Sequence, residues 1–395
     1  MAGEIFGTTI GINGCGRMGK GLLRYLIAKK LFPKIIINFG RKVGESIDDV
    51  VKHIMDDTIY GSLNNFAFGV ASDEEMEISI NYEEKDTIEI NGVIIHVLQQ
   101  DRNPKNINWA PAVVVVDTTG KYNYPNKDIY VPNGSVKGHL VSGSVKKVLV
   151  SSPFKDWESE TSDDDTIMLV QGINDNEYNP SRHSIVSAAS CTTTALAHTM
   201  KPLLQIIQPE DFLAIVLTTV HAWTGKQTLT DRVPASDTSD LVRSRSAIGN
   251  IFLSSTGAAK ALPRVIPEVI KVQYSAKSVR VPTLTSSLIM ATIDFKDGEM
   301  FRQGMTSRNI DELFKQAAYS DTKKYLRYFE HQSVATDVIG EKAAASIMGG
   351  EAELMRVSIS NGIHYNKLSL CSWYDNEFGY VYMLTELLKK IVAGL

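Results

Sequence analysis

Three short stretches of this chain carry residue types able to do chemistry. Cys191 stands in Ser187-Ala188-Ala189-Ser190-Cys191-Thr192-Thr193-Thr194, directly ahead of Leu196, Met200 and Leu203 at helical spacing. A thiol at a helix N-terminus meets the positive end of the dipole and unpaired amides, which lower its pKa and favour the nucleophilic thiolate. A small buried hydrophobe is the commoner fate of a cysteine. The three hydroxyl residues that follow argue against simple core packing and suit helix capping or an anion site. Farther on, a β-rich run ends in Thr218-Thr219-Val220-His221-Ala222-Trp223-Thr224. That makes His221 a candidate base for the thiol, provided the fold brings the two together. The third stretch is Gly14-x-Gly16-x-x-Gly19. Its first glycine permits a tight turn, its second lets the backbone approach a pyrophosphate, and its third lets a helix pack closely on a strand.

The surrounding elements fit such roles. Residues 8–12 are β-branched and read as a strand, and Leu22, Leu23, Leu26 and Ile27 recur as a helix. Residues 35–37 form a second strand, and the unalternating runs 113–116 and 148–150 read as strands buried on both faces. Strands separated by helical stretches predict a parallel sheet with right-handed crossovers. The second strand ends in Asn38-Phe39-Gly40-Arg41-Lys42, where a carboxylate for a ribose 2′-hydroxyl is expected and absent. The cations there suit a 2′-phosphate, and they read equally well as solvated loop residues, so NAD and NADP both stay open. The acidic, serine-rich segment 155–165 reads as a solvated loop ending the first domain. Beyond it, 213–220 and 286–295 are long β-rich runs that fit a larger mixed or antiparallel sheet, and 381–395 returns to a helical pattern.

Composition narrows the function classes. A chain of 395 residues accommodates about two domains, and 43% hydrophobic with 22% charged residues is ordinary for a globular protein. The net charge of -4 gives no platform for nucleic acid or an anionic membrane. No secretory start and no apolar run of membrane-spanning length are present, so a cytoplasmic location is expected. Cys15, Cys191 and Cys371 are too few and too scattered for a disulfide framework, and the eight histidines show no close pair at metal-ligand spacing.

Taken in order, INGCGRMG, SAASCTTT, TTVHAWTGKQ, NIFLSSTGAAKALPRVIPE, VRVPT and WYDNEFGY resemble the signature segments of glyceraldehyde-3-phosphate dehydrogenases of the phosphorylating type, from about residue 8 to the C-terminus. The resemblance implies an α/β fold: a Rossmann-type dinucleotide-binding domain, 1–152, and an α+β catalytic domain with a mixed sheet, 153–378. A final helix, about 379–395, would pack back on the first domain, and the assembly would be a homotetramer. The implied reaction oxidises D-glyceraldehyde 3-phosphate to 1,3-bisphosphoglycerate with NAD(P) and inorganic phosphate, through a thioester at Cys191 with His221 as base. By the same resemblance Thr224 and Arg245 would hold the substrate phosphate, and Ser190, Thr192, Thr256 and Gly257 the attacking one. Gly14, Gly16, Arg17, Met18 and Gly19 would meet the pyrophosphate. Thr119 would lie on the adenine side, Phe39 and Arg41 at the ribose, and Asn376 against the nicotinamide amide. Arg243 competes with Arg245, which is preferred for its spacing to Asn250.

The chain also departs from that pattern. Ala188 and Thr194 stand where asparagine is usual beside the cysteine, Lys226 replaces a frequent acid, and Arg232 lies in a loop the family extends toward a neighbouring subunit. With Phe39 and Arg41 these lean toward NADP. Extra residues fall at the acidic loop, at 234–240 and around 296–324, where surface insertions cost little. Two alternatives follow: a sibling that oxidises erythrose 4-phosphate without phosphorolysis, and a non-catalytic binding protein on the same scaffold.

Overall fold

The structure is a computed structural model that describes residues 6–82, 84, 86–131, 134–155, 164–225, 227–234, 241–321, 324–359 and 362–395. Most of the acidic segment, Lys226 and residues 235–240 therefore lie outside the described residues, as do the side chains of Arg243, Glu299 and Met300. The chain divides into two compact units. The first comprises Met1–Gln171, Asp175–Ala189 and Leu384–Leu395, and the second Gly172–Asn174 and Ser190–Met383.

In the first unit the apolar runs become strands because only a sheet covered on both faces buries them throughout. Among the described residues nine strands form one sheet, in the order Ile78–Asn81, Thr87–Ile90, Val93–Leu98, Lys34–Asn38, Thr9–Asn13, Val114–Asp117, Lys147–Val150, Ile185–Ser187 and Thr166–Met168. The sheet is parallel from Val93–Leu98 onward. The first two strands form an antiparallel edge that the sequence reading did not foresee. Strand Thr9–Asn13 pairs with Lys34–Asn38 on one side and with Val114–Asp117 on the other, so the strand order reverses there. Such a switch point opens a crevice at the carboxyl ends of the strands, where dinucleotides bind in this class of fold. Helix Arg17–Lys29 follows the first strand and buries Leu22, Leu23, Leu26 and Ile27. Trp109, fully buried, anchors a cluster with Val115, Val136, Val148 and Ile185. Its truncation to alanine is expected to cost about 3–5 kcal/mol. This is the Rossmann-type half of the expected architecture.

The second unit is built on a mixed sheet. Its path runs Phe252–Ser254, Gln273–Val281, Phe212–Ala222, Ser287–Lys296, His364–Tyr374, Ala345–Met348 and Leu326–Phe329, with Glu353–Ser358 also pairing along His364–Tyr374. Helix Cys191–Met200 packs against this sheet and against helix Ala258–Val265. All its residues from Thr192 to Met200 are buried, so it is a core helix rather than an amphipathic surface one. Within 296–324, helix Ser307–Ser320 buries Ile310, Phe314 and Ala318. No described helix is long and apolar enough to cross a membrane.

Candidate active site

The second unit brings Cys191 and His221 together. Cys191 is the first residue of its helix, and the Ser190 side chain caps that helix by accepting from the Thr193 N–H. His221 stands near the end of strand Phe212–Ala222, and its Nε2 lies 3.8 Å from Cys191 Sγ. The parallel register with Gln273–Val281 sets Arg280 directly beside His221. Arg280 Nη1 is 2.6 Å from His221 Nδ1 and 3.1 Å from the carbonyl oxygen of Ala222, while Nδ1 itself lies 2.7 Å from that oxygen. The His221 ring meets the Tyr374 ring edge-on, at 6.1 Å between centroids.

Two expectations need correcting here. The helix terminus was expected to lower the Cys191 pKa. Instead burial pushes the thiol above its ordinary value, and Arg280, the Thr192 hydroxyl and the amides of Thr192 and Cys191 pull it only part of the way back. Desolvation of a charged thiolate outweighs one guanidinium and a helix end. The three threonines, second, do not provide the helix cap. They are buried, and Thr192 instead pairs its hydroxyl with Tyr374, 2.9 Å away. Ser190 alone provides the side-chain cap, and its hydroxyl lies 2.7 Å from that of Thr193. The other two thiols differ in setting from Cys191. Burial pushes Cys15 up to about 12 despite Lys20, and burial with Glu351 and Glu353 raises Cys371.

The candidate anion residues are spread over several elements. Thr224 is held by Gln227, whose Oε1 accepts from the Thr224 amide at 2.6 Å and from its hydroxyl at 3.2 Å. Thr256 and Gly257 open helix Ala258–Val265, where the Thr256 hydroxyl accepts from the Ala258 amide. Arg245 is exposed and donates to Asp231 at 2.9 Å, an arrangement typical of a surface salt bridge. The cation that does stand at the Cys191–His221 pair is Arg280, which the sequence reading quoted within VRVPT but did not single out.

A family model described as glyceraldehyde 3-phosphate dehydrogenase, C-terminal domain, matches residues 190–376. Glyceraldehyde-3-phosphate dehydrogenase 1 of Bacillus cereus is 31% identical over 382 residues, covering 96% of this chain and 97% of the relative. The chain belongs to the glyceraldehyde-3-phosphate dehydrogenase family. Similar relatives include the glyceraldehyde-3-phosphate dehydrogenase of the fungus Sclerotinia sclerotiorum, 32% identical over 389 residues with 97% of each chain covered. Another is glyceraldehyde-3-phosphate dehydrogenase 2 of Bacillus subtilis, 29% identical over 388 residues, covering 98% and 97%. This is a family of oxidoreductases.

The residues that a dehydrogenase of this family would turn toward a dinucleotide lie in the first unit, apart from Asn376. Gly14 adopts φ +96°, which only glycine takes readily. A Cβ on Gly19 would fall 2.0 Å from the Gly14 carbonyl oxygen, so the helix start can sit on the loop only with glycine there. The Thr118 hydroxyl donates to the carbonyls of Asn13 and Gly14, tying the loop to the neighbouring strand. Thr119 is fixed by Asp117, whose Oδ1 accepts from its amide and hydroxyl. Asp117 is itself buried among further donors. Its Oδ2 accepts from Asn13 Nδ2 and lies 3.0 Å from His139 Nε2, and the Trp109 indole donates to His139 Nδ1. Arg17 pairs with Asp57, Met18 is partly buried, Phe39 is buried with its ring edge-on to His53, and Arg41 is exposed. Asn38 points inward: its Oδ1 accepts from the amides of Gly40 and Gln100, and its Nδ2 donates to Asn13. In the second unit Asn376 Oδ1 accepts from the Ser287 hydroxyl, which also accepts from the Ala222 amide.

Proposed function

We propose that the protein carries out the phosphorylating oxidation of D-glyceraldehyde 3-phosphate, with a cytoplasmic location and NAD or NADP as hydride acceptor. The single observation that carries this reading is the 3.8 Å approach of His221 Nε2 to Cys191 Sγ at a helix N-terminus. The Cys191 thiol passes its proton to His221 Nε2 as Sγ adds to the aldehyde carbon, and the ring returns that proton to the carbonyl oxygen, which becomes a hydroxyl. His221 takes the hydroxyl proton as the carbon loses hydride, which leaves a thioester on Cys191. A phosphate oxygen then attacks the thioester carbon, the C–S bond breaks, and the acyl phosphate departs from a regenerated thiolate. Arg280, Thr224 and the helix-opening residues Ser190, Thr192, Thr256 and Gly257 supply charge, hydroxyls and amides to the two phosphates. Arg245, on its exposed loop, is kept as a candidate for the same task.

The cofactor reading rests on a cradle that the residues present fit. The glycine loop closes only without side chains at Gly14 and Gly19, at the switch point of a parallel sheet. Gly16, Arg17 and Met18 would line the pyrophosphate, Thr119 the adenine side, and Phe39 and Arg41 the ribose. Asn376, its oxygen held by Ser287, would orient the nicotinamide amide. Initial rates with glyceraldehyde 3-phosphate, with NAD against NADP and with and without inorganic phosphate, test the reading. Phosphate-dependent reduction of either cofactor is the expected outcome. Turnover without phosphate would favour the erythrose 4-phosphate type of chemistry, and no turnover from folded protein would favour a non-catalytic role.

The homotetramer is likewise proposed. In the second sheet the register places Val216, Thr218 and Val220 beside Thr292, Met290 and Leu288 on one face, and Val216 and Met290 are more than two-fifths exposed. An apolar sheet face of this kind is suited to a second copy of the chain. Sedimentation equilibrium should give four times the 43.6 kDa chain mass.

A further inference from the structure

In the first unit three buried polar side chains close the carboxyl ends of neighbouring strands: Asn38 of Lys34–Asn38, Asn13 of Thr9–Asn13 and Asp117 of Val114–Asp117. A primary amide offers two N–H groups and two oxygen lone pairs, and a carboxylate offers about four lone-pair positions. Asn38 Oδ1 accepts from the amides of Gly40 at 3.2 Å and Gln100 at 3.1 Å, which fixes the orientation of its side chain. Its Nδ2 donates to Asn13 Oδ1 and to the Asp101 carbonyl. Asn13 Nδ2 in turn donates to Asp117 Oδ2 and to the Arg102 carbonyl, both at 3.0 Å. Asp117 also accepts from the Thr119 amide and hydroxyl and faces His139 Nε2. The Trp109 indole, which only donates, meets His139 Nδ1, so the His139 ring proton sits on Nε2 and is given to Asp117. Asn38 and Asp117 are thereby saturated, and both N–H groups of Asn13 are engaged.

This saturation bears on a nucleotide ribose. A 2′-hydroxyl is ordinarily held by a carboxylate at the end of the second strand. Here Asn38 has no acceptor left, Phe39 is buried against His53, and Gln99 Oε1 is drawn to the Val43 amide at 2.7 Å. The groups that remain at this strand end are cations. Arg41 and Lys42 are exposed, and among the described residues neither side chain has a hydrogen-bond or ion-pair partner. Arg102 reaches the same turn from the loop after Val93–Leu98. Gly40 there has φ +76°, and a Cβ on it would fall 2.1 Å from both Cγ and Nε of Arg102, so the arginine lies directly across the turn. Its Nε is buried with no hydrogen-bond partner among the described residues. Asp101, beside it in sequence, is exposed, and its charge acts on Tyr122.

We propose that this crevice selects a dinucleotide bearing a 2′-phosphate, so that NADP rather than NAD is the hydride acceptor, and that Arg41, Lys42 and Arg102 receive that phosphate. A hydroxyl would bring a donor to a strand end whose side-chain acceptors are already engaged. A phosphate monoester near neutral pH brings about 1.5 to 2 negative charges and three acceptor oxygens, which match three cationic donors. The network of Asn13, Asn38 and Asp117 thus works by what it withholds, and the cations by what they attract. The inference rests on the proposed dinucleotide reading of the glycine loop and decides which dinucleotide the loop holds.

Isothermal titration of the full chain with NADP and with NAD, in the absence of any aldehyde so that no reaction occurs, provides the test. NADP should bind at least about tenfold more tightly, the worth of one charge-assisted hydrogen bond. The gap should narrow as salt is raised from about 0.05 to about 0.5 M. Arg41→Ala combined with Lys42→Ala should bring the two affinities together by weakening NADP, and Arg102→Met should act in the same direction. Should Arg102→Met fail to fold, as circular dichroism would show, the exposed pair decides. Equal affinities, or tighter binding of NAD, overturn the proposal. If Asp101→Asn then weakens NAD, the exposed carboxylate is what holds the 2′-hydroxyl. Either of these results leaves the phosphate-dependent oxidation standing with NAD. Binding of neither dinucleotide removes the cofactor reading and this inference with it. A chain that prefers NADP yet turns over no aldehyde keeps the inference while the proposed activity fails.

Discussion

Removing the Cys191 thiol should abolish the phosphate-dependent oxidation, so Cys191→Ser is expected to reduce turnover to background while circular dichroism stays unchanged. His221→Asn should lower kcat by about 10²–10⁴-fold, the usual worth of a positioned base. A smaller loss in steady-state rates would argue that another group takes the proton. Of the three cysteines, only Cys191 has a guanidinium and two amides working for its thiolate. Burial still leaves its thiol raised, so special reactivity has to come from His221 Nε2, 3.8 Å away, taking the proton. Iodoacetamide should then label Cys191 ahead of Cys15 and Cys371, as read by peptide mass spectrometry, and equal labelling would remove its claim to special reactivity. These two residues were legible in the sequence because their surrounding words, SAASCTTT and TTVHAWTGKQ, are long and specific. Arg280 was not, although its segment was quoted: its importance comes from the register between two strands about sixty residues apart in sequence, and a linear reading does not contain that register. Burial of the thiol was hidden for the same reason, since a helix-end argument sees the dipole and not the protein packed around it.

The elements that hold the site have their own dependencies. Asp375 is a clamp at the start of helix Phe378–Ala393. Its Oδ1 accepts from the amides of Glu377 and Phe378 and from the Thr285 hydroxyl, and its Oδ2 accepts from the Gly340 amide. Asp375→Ala leaves several buried donors unpaired and should destabilise by about 2–4 kcal/mol, seen as a lower urea midpoint. Tyr374→Phe removes only the hydroxyl partner of Thr192 and should cost about 1 kcal/mol. Strand and helix positions were readable from apolar runs and spacing, as Lys34–Asn38, Phe212–Ala222 and Ser287–Lys296 show. The αL backbone of Ala189, φ +55°, was not, because alanine carries no sign of a conformation it enters only under constraint. The hairpin of Ile78–Asn81 with Thr87–Ile90 was also missed. Its short strands are half-exposed, and their polar alternation resembles loop composition.

At the scale of the molecule, stability should carry an acid-side signature from Asp57. Burial pushes its carboxyl upward, but hydrogen bonds from Arg17 and the amides of Tyr60 and Ile59 outweigh this and hold it well below the usual range. Folding thus lowers this pKa. The stabilisation is complete above the ordinary carboxylate value of about 4 and is lost as pH falls below it. Asp57→Asn should therefore unfold about 3 kcal/mol more easily at pH 7. Urea titrations should show its gap from the wild type narrowing as pH drops from about 5 toward 2. A gap that stays constant with pH would mean the carboxylate charge is not what stabilises this corner. The two-part architecture was visible in the sequence because composition and texture change midway along the chain. Helix Ser307–Ser320 was not legible as a helix, since only Ile310, Phe314 and Ala318 of its residues are buried and the rest of its sequence is largely polar. Another property follows from the Trp109–His139 contact. The indole is fully buried and donates to the ring at 2.9 Å, so its emission should be blue-shifted and should redden when the sheet around it opens. Trp373, whose indole donates to the Met348 sulfur, belongs to the other unit. With Trp157 and Trp223 replaced by phenylalanine, and Trp109 or Trp373 in turn, intrinsic fluorescence becomes a pair of separate optical gauges, one for the melting of each half of the chain.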